Sequence, residues 1–478
     1  MRISEYYNLG KNQSGLDFID IRLDTDVAVF IDPTAIHGLQ SKWGHELASL
    51  LQTFFETVLD NIKNGKHTHA KNLLSSLSER NEFHLGFSKG KSRGHAFGTI
   101  SANSVWGALM QSRSSLTGLL EDLEDTCLMI HGIGPDMISD AVCNILRGPL
   151  IKYTQDMCEY YGIPLEQNIS SGPIWNPVKG KWEDALVSLP LTPEYGKFIL
   201  IPKNLVRLRI SYKSDEYYRH YILPELQSQH INNMSPLVNV LKNGRLKVHK
   251  TDLIDEYGAD KLAVVEQTLK NPHVLARYRQ DKKSRPSKPL THETLAEVEN
   301  IPTHDWQTLA HNLTAVPTGK ADSTKYENII ESIFTALFYP SLCYPKKQTP
   351  IHSRRKIVDI TYTNEARAGF FFWLARHYPS ALMIVECKNY GNEVANNELD
   401  QLSGRFSLSR GQVGILVCRS FKNKDRFVQR CIDTAKDGRG YIIPIDDDDV
   451  ITLMEYREQH PYTEDFPLLK ERFNLLII

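Results

Sequence analysis

KIVDITYTN (residues 356–364) and ALMIVECKNY (residues 381–390) decide how this chain is read. Each is an apolar, β-branched run of strand length. The first carries Asp359, and the second ends in Glu386-Cys387-Lys388. Carboxylates and a lysine at the ends of Ile/Val-rich strands are costly to bury unless they pair or hold a cation. Converging carboxylate oxygens suit Mg²⁺. A lysine beside them can stabilise charge on a phosphate or orient a water. The combination points to metal-dependent phosphodiester chemistry.

The pattern around these runs is regular. STKYENIIESIFTALF (323–338) has helical period, and SLCYPKK (341–347) reads as a strand. GFFFWLARHYP (369–379) is a helical or looped insertion between the two key strands. A helix around NNELDQLSGRFSLS, the strand VGILVC, the helix FKNKDRFVQRCIDTAK, the strand GYIIPI and a closing helix begun by Asp446–Asp449 follow. Apolar strands alternating with helices predict an α/β sheet flanked by helices. The expected organisation is a mixed α/β N-terminal domain over 1–210, a helical segment over 211–280, a linker with one short helix over 281–322, and this α/β domain over 323–478. In the first of these, LDFIDIRLDTDVAVFIDP predicts one or two strands and HELASLLQTFFETVLDNIKN a helix. KFILIPKNLVRLRI predicts a further strand, and Thr251 an N-cap.

Composition excludes several classes. Of 478 residues, 41% are apolar and 24% charged, as in soluble globular chains. A net charge of −1 gives no global attraction to nucleic acid, so such binding would use local patches. Seven cysteines without metal-like spacing predict reduced thiols and a cytoplasmic location. The densest apolar run, AGFFFWLA, is too short to span a bilayer, so no membrane role is expected.

The order of elements and the motif residues resemble the PD-(D/E)XK, or restriction-endonuclease-like, nuclease superfamily. The resemblance covers residues 323–445, about a quarter of the chain, and VECKNY is closest in wording to Mrr-like restriction endonucleases. It implies that Asp359 and Glu386 bind Mg²⁺, with Mn²⁺ as a substitute and the backbone carbonyl of Cys387 as a third ligand. It implies that Lys388 orients or activates the attacking water. It also implies a helical glutamate, where Glu327 after Tyr326 or Glu331 one turn later could serve, and a glutamine on the next helix, Gln401. The chain departs from the pattern by lacking a proline before Asp359 and by the 369–379 insertion. The activity implied is an endonuclease acting on double-stranded DNA, as a bacterial anti-phage or restriction-type defence effector. A homodimer and a defence-system partner protein are the implied associates. The same site also suits DNA repair, mobile-element processing, RNA cleavage or a sensor that binds nucleic acid without cutting.

Other features have simpler readings. Basic residues at 277–288, 354–356 and 419–426 could meet phosphates, although a solvated face is the usual role of such runs. Gly132-Ile133-Gly134-Pro135 resembles a helix-hairpin-helix turn, with a glycine turn between core helices as the simpler reading. GFSKGKSRGHAFG (86–98) reads as a surface loop. Asp17, Asp20, Asp24, Asp26 and Asp32 read as an exposed acidic strand face rather than a cation site.

Overall fold

The computed structural model describes residues 1–477 except 78–79, 87–106, 108, 111, 352–354 and 391–393. The protein is mixed α/β, and its largest sheet lies near the C-terminus. Its five strands are β1 (Leu342–Ile351), β2 (Lys356–Asn364), β3 (Leu382–Lys388), β4 (Val413–Cys418) and β5 (Tyr441–Asp446), in that spatial order. β1 to β3 are antiparallel neighbours, whereas β3, β4 and β5 run parallel. β3 and β4 are apolar on both faces and almost wholly buried, as a parallel sheet covered by helices requires.

Six helices surround this sheet: α1 (Ser323–Phe338), α2 (Gly369–His377), α3 (Asn396–Ser403), α4 (Lys424–Lys436), α5 (Asp447–Gln459) and α6 (Pro467–Ile477). α1 buries Ile330, Ile333, Phe334, Leu337 and Phe338, a continuous stripe at helical spacing. The 369–379 insertion forms α2, which packs Phe371 against Phe338 and Phe466. It closes the β2–β3 connection outside the sheet, so the two strands still pair, with Ile360 opposite Val385.

The N-terminal unit is mostly helical, built on Lys42–Lys63, Pro135–Ile145 and Arg147–Tyr161. The strands expected in 16–33 reduce to Phe30–Ile31 plus single bridges such as Phe18 with Pro202. Phe18, Ile19, Ile21, Val27 and Val29 are nonetheless buried. Their backbone groups find scattered partners, such as Ile19 N on Ile201 O at 2.9 Å and Asp20 N on Gln13 Oε1 at 2.8 Å, instead of a ladder. The strand expected in 197–210 is likewise only Gly196–Lys197 and Val206–Arg207. His249, not Thr251, precedes the helix Lys250–Tyr257.

The stretch 281–322 differs from the expected linker. It holds two helices, His292–Glu299 and Trp306–Ala315. Leu295 joins the N-terminal core, while Trp306 and Leu313 join the C-terminal one. The units also meet through β1. Tyr344 is buried in the N-terminal core, its N–H donates to Asp17 Oδ1 at 3.0 Å, and its hydroxyl pairs with Asn204.

α1 is fixed at its start by Tyr326, whose hydroxyl donates to Asp447 Oδ1 at 2.7 Å beneath the Arg419 guanidinium. Burial, reinforced by neighbouring acidic charges, pushes Asp447 from 3.8 up to about 6. Between those values the folded chain holds a proton that the unfolded chain has lost. This contribution to stability is therefore present at low pH and lost as pH rises through about 6. Asp447→Asn removes the dependence. Urea unfolding of both proteins across this range should show the variant gaining on the wild type as pH rises.

Candidate active site

The β2–β3 register sets the site. One step beyond the Ile360–Val385 pair, Asp359 faces Glu386 across two antiparallel strands, so their side chains share one face. Asp359 lies inside β2, at its fourth residue, but one residue beyond the end of its ladder with β3. The Cys387 N–H donates to Asp359 Oδ2 at 3.0 Å. In an extended strand the carbonyl of that residue leans to the same edge. Lys388, two residues after Glu386, returns to the shared face.

Glu386 is fully buried and both of its oxygens face cations. Lys388 Nζ lies 2.7 Å from Oε1, and the Arg405 guanidinium contacts Oε2. Lys388 Nζ also donates to Gln401 Oε1 at 3.0 Å. α3 presents Gln401 because Leu399 and Leu402 turn the opposite face into the core. Its first turn is capped by Glu398, which accepts from Ala395 N at 2.8 Å.

Arg405 was not expected from the sequence. It follows α3 in a tight turn, with its N–H on Leu402 O at 2.9 Å and Phe406 N on Ser403 O at 3.1 Å. Lys356 Nζ and the Arg410 guanidinium hold the Gly404 and Arg405 carbonyls. Phe406 lies so close to Gly440 that a Cβ there would stand 2.3 Å from the ring. Burial pulls the Arg405 guanidinium down, and the Asp359 charge opposes that shift. Arg405 therefore senses both carboxylates.

The structure separates the two glutamates of α1. Glu327 is half-buried and accepts from Gln348 Nε2 at 3.1 Å. Burial raises its pKa, and the Asp359 charge raises it further, which places Glu327 in the field of the site. Asn389, next after Lys388, steadies this end of α1 by donating to the Pro317 and Gly319 carbonyls, both at 2.9 Å. Glu331 faces elsewhere. It is fully buried, paired with Lys11 at 2.9 Å and Lys347 at 3.5 Å, and accepts from Thr335 at 3.0 Å. Although burial acts in the opposite direction, Lys11 and Lys347 hold its carboxyl below the ordinary range. Glu331 thus joins the two units and does not reach Asp359.

The donor set is suited to a hard divalent ion. Asp359 and Glu386 supply carboxylate oxygens on one face, and Glu327 stands near enough to feel Asp359. Among the described residues, no three His, Cys, Asp or Glu side chains converge into an ion cage. Mg²⁺ is commonly held by one or two carboxylates, with waters and substrate phosphates filling its octahedron, and two carboxylates meet that need. All seven cysteines are buried and unpaired, and none offers a reactive thiol.

The remaining sequence candidates have structural roles. Asp17, Asp20 and Asp32 are buried, contrary to an exposed acidic face. They accept from Tyr153, Ser4 and Thr34 respectively. At the Gly132–Pro135 turn, Lys261 donates to the carbonyls of Ile130, before the turn, and Ile133, within it. In the 277–288 stretch, Arg279 pairs with Asp125, Lys282 with Glu216 and Lys283 with Asp122. Arg419 pairs with Asp447, and Lys424 with Asp446 and Asp449. Asp446 and Asp449 also cap α5 reciprocally. The loop 86–98 falls almost wholly outside the described residues, as does Arg354. No described helix is long and apolar enough to cross a membrane.

Residues 8–213, under half of the chain, match the model of a domain of unknown function, DUF8370. No curated protein and no solved structure matches the chain.

The two glutamates should respond unequally to substitution. Glu331→Ala leaves two partly buried lysines unpaired and should cost about 3 kcal/mol. Glu327→Ala, at a half-buried position, should cost under about 1 kcal/mol. Denaturant unfolding of both variants checks this assignment.

Proposed function

We propose that the C-terminal unit is a Mg²⁺-dependent endonuclease of the PD-(D/E)XK kind that hydrolyses phosphodiester bonds in DNA. One observation carries the reading. The β2–β3 register sets Asp359 against Glu386 with Lys388 beside them, and α3 adds Gln401 to Lys388. A five-stranded mixed sheet, antiparallel at one edge and parallel at the other, supports it. So does the position of Glu327 on the opening helix.

The residue roles follow from their placement. Asp359 and Glu386 would hold the divalent ion, joined by the Cys387 carbonyl, and Glu327 would act on its outer side. The bound ion would supply charge neutralisation at the scissile phosphate and a water of lowered pKa. Lys388, held between Glu386 and Gln401, orients a water or meets the charge that develops on the phosphate. Gln401 fixes the direction of the Lys388 side chain. Basic side chains beside the site would contact the backbone of the duplex, so binding would weaken with salt. By resemblance, the biological role is bacterial defence against phage or plasmid DNA, in the cytoplasm. The N-terminal unit would recognise a target or partner protein, and two copies would cut the two strands.

A second reading has an observation of its own. With Lys388 and Arg405 on both Glu386 oxygens, the site is already neutralised, as in a protein that grips nucleic acid without cutting.

Incubation of supercoiled plasmid and linear duplex with Mg²⁺, Mn²⁺ or EDTA decides between them. Metal-dependent cutting should fall at least ~100-fold in Asp359→Ala and Lys388→Ala. It should fall less in Glu327→Ala, and folded Glu331→Gln should retain it. Binding that persists in EDTA without cutting in either metal would favour the non-cutting reading.

A further inference from the structure

Arg405 supplies a charge for which the proposed chemistry has assigned no role. Its guanidinium is buried, touches Glu386 Oε2 and lies in the field of Asp359. These are the two carboxylates proposed to hold the divalent ion. The turn that carries Arg405 is secured on both sides, by α3 through Leu402 and by Lys356 and Arg410 through neighbouring carbonyls. Its backbone is therefore well placed, while its side chain occupies a Glu386 oxygen that an incoming cation must reach. A cation that occupies a ligand competes with another cation for it, and the competition is stronger where water is excluded.

Resting on the metal reading above, we propose that Arg405 is a resident counter-ion that neutralises Glu386 in the metal-free protein and leaves it when a divalent cation binds. Both Glu386 oxygens thereby keep a cation in either state. The cost of displacing Arg405 sets the metal concentration at which the site fills. Lys388 keeps its hold on the other oxygen through both states, with Gln401 as its second support.

Titration of Mn²⁺ by electron paramagnetic resonance on the full chain tests this without relying on cleavage. Arg405→Met keeps the aliphatic stem and removes the charge. It should bind Mn²⁺ roughly tenfold tighter than wild type, and its cleavage midpoint in Mg²⁺ should shift to lower concentration. Arg405→Lys, which keeps the charge on a shorter side chain, should tighten binding by a smaller factor. It serves as the deciding variant if Arg405→Met is unfolded by circular dichroism. Unchanged or weaker binding in the folded variant, with wild-type binding lost in Asp359→Ala, would overturn the proposal and leave the metal site standing. Wild-type binding that is absent, or that survives Asp359→Ala, would instead overturn the metal site and this proposal with it.

Discussion

Glu386 is the residue around which the C-terminal unit is arranged. A fully buried carboxylate is strongly destabilising without compensation, and removing one partner of such a pair typically costs about 3–5 kcal/mol. The fold meets that demand from two directions. Lys388 comes from the same strand, two residues on, while Arg405 arrives from the turn after α3. The strand itself must then be central and the neighbouring helix must lie against its end. Asp359 completes the arrangement from β2, its position fixed by the Cys387 N–H. Each of these groups constrains the others, by charge as well as by packing.

What could be read from the sequence follows the range of the physical signal. The apolar runs that became β2, β3 and β4 are local, and a period of two together with burial on both faces marks them clearly. The spacing of Glu386 and Lys388 on one strand, and the apolar stripe that turns Gln401 outward, are local as well. Arg405 was not legible because its approach depends on a tight turn held by Lys356 and by Phe406 against Gly440. None of those contacts has a periodic signature. The choice between Glu327 and Glu331 was open for the same reason. Helical spacing puts both on one face, and Lys11, far away in the chain, draws Glu331 to the other unit.

The N-terminal unit was harder to read. Its apolar segments look like strands because strands and irregular buried segments share composition. There the backbone is satisfied one bond at a time, by Gln13, by Ile201 and by isolated bridges. A pattern of burial on all sides carries no alternation to count. Asp17, Asp20 and Asp32 misled in a related way, because short polar side chains that anchor loop backbones resemble a surface-exposed acidic face in sequence. The polar, proline-bearing composition of 281–322 suggested a linker, whereas sparse anchors such as Leu295, Trp306 and Leu313 suffice to dock it.

β1 gives the protein a mechanical property that neither unit has alone. Its first residues are rooted in the N-terminal core through Tyr344 and Asp17, while Lys347 and Gln348 further along touch Glu331 and Glu327. The strand is a shared beam, with one end clamped in each body. A chain cut at the apparent linker would carry exposed aromatic residues on one fragment and an open cavity on the other. The two halves are thus not interchangeable cassettes. Any graft that moved the C-terminal sheet to a new host would have to bring a matching socket for Tyr339, Cys343 and Tyr344.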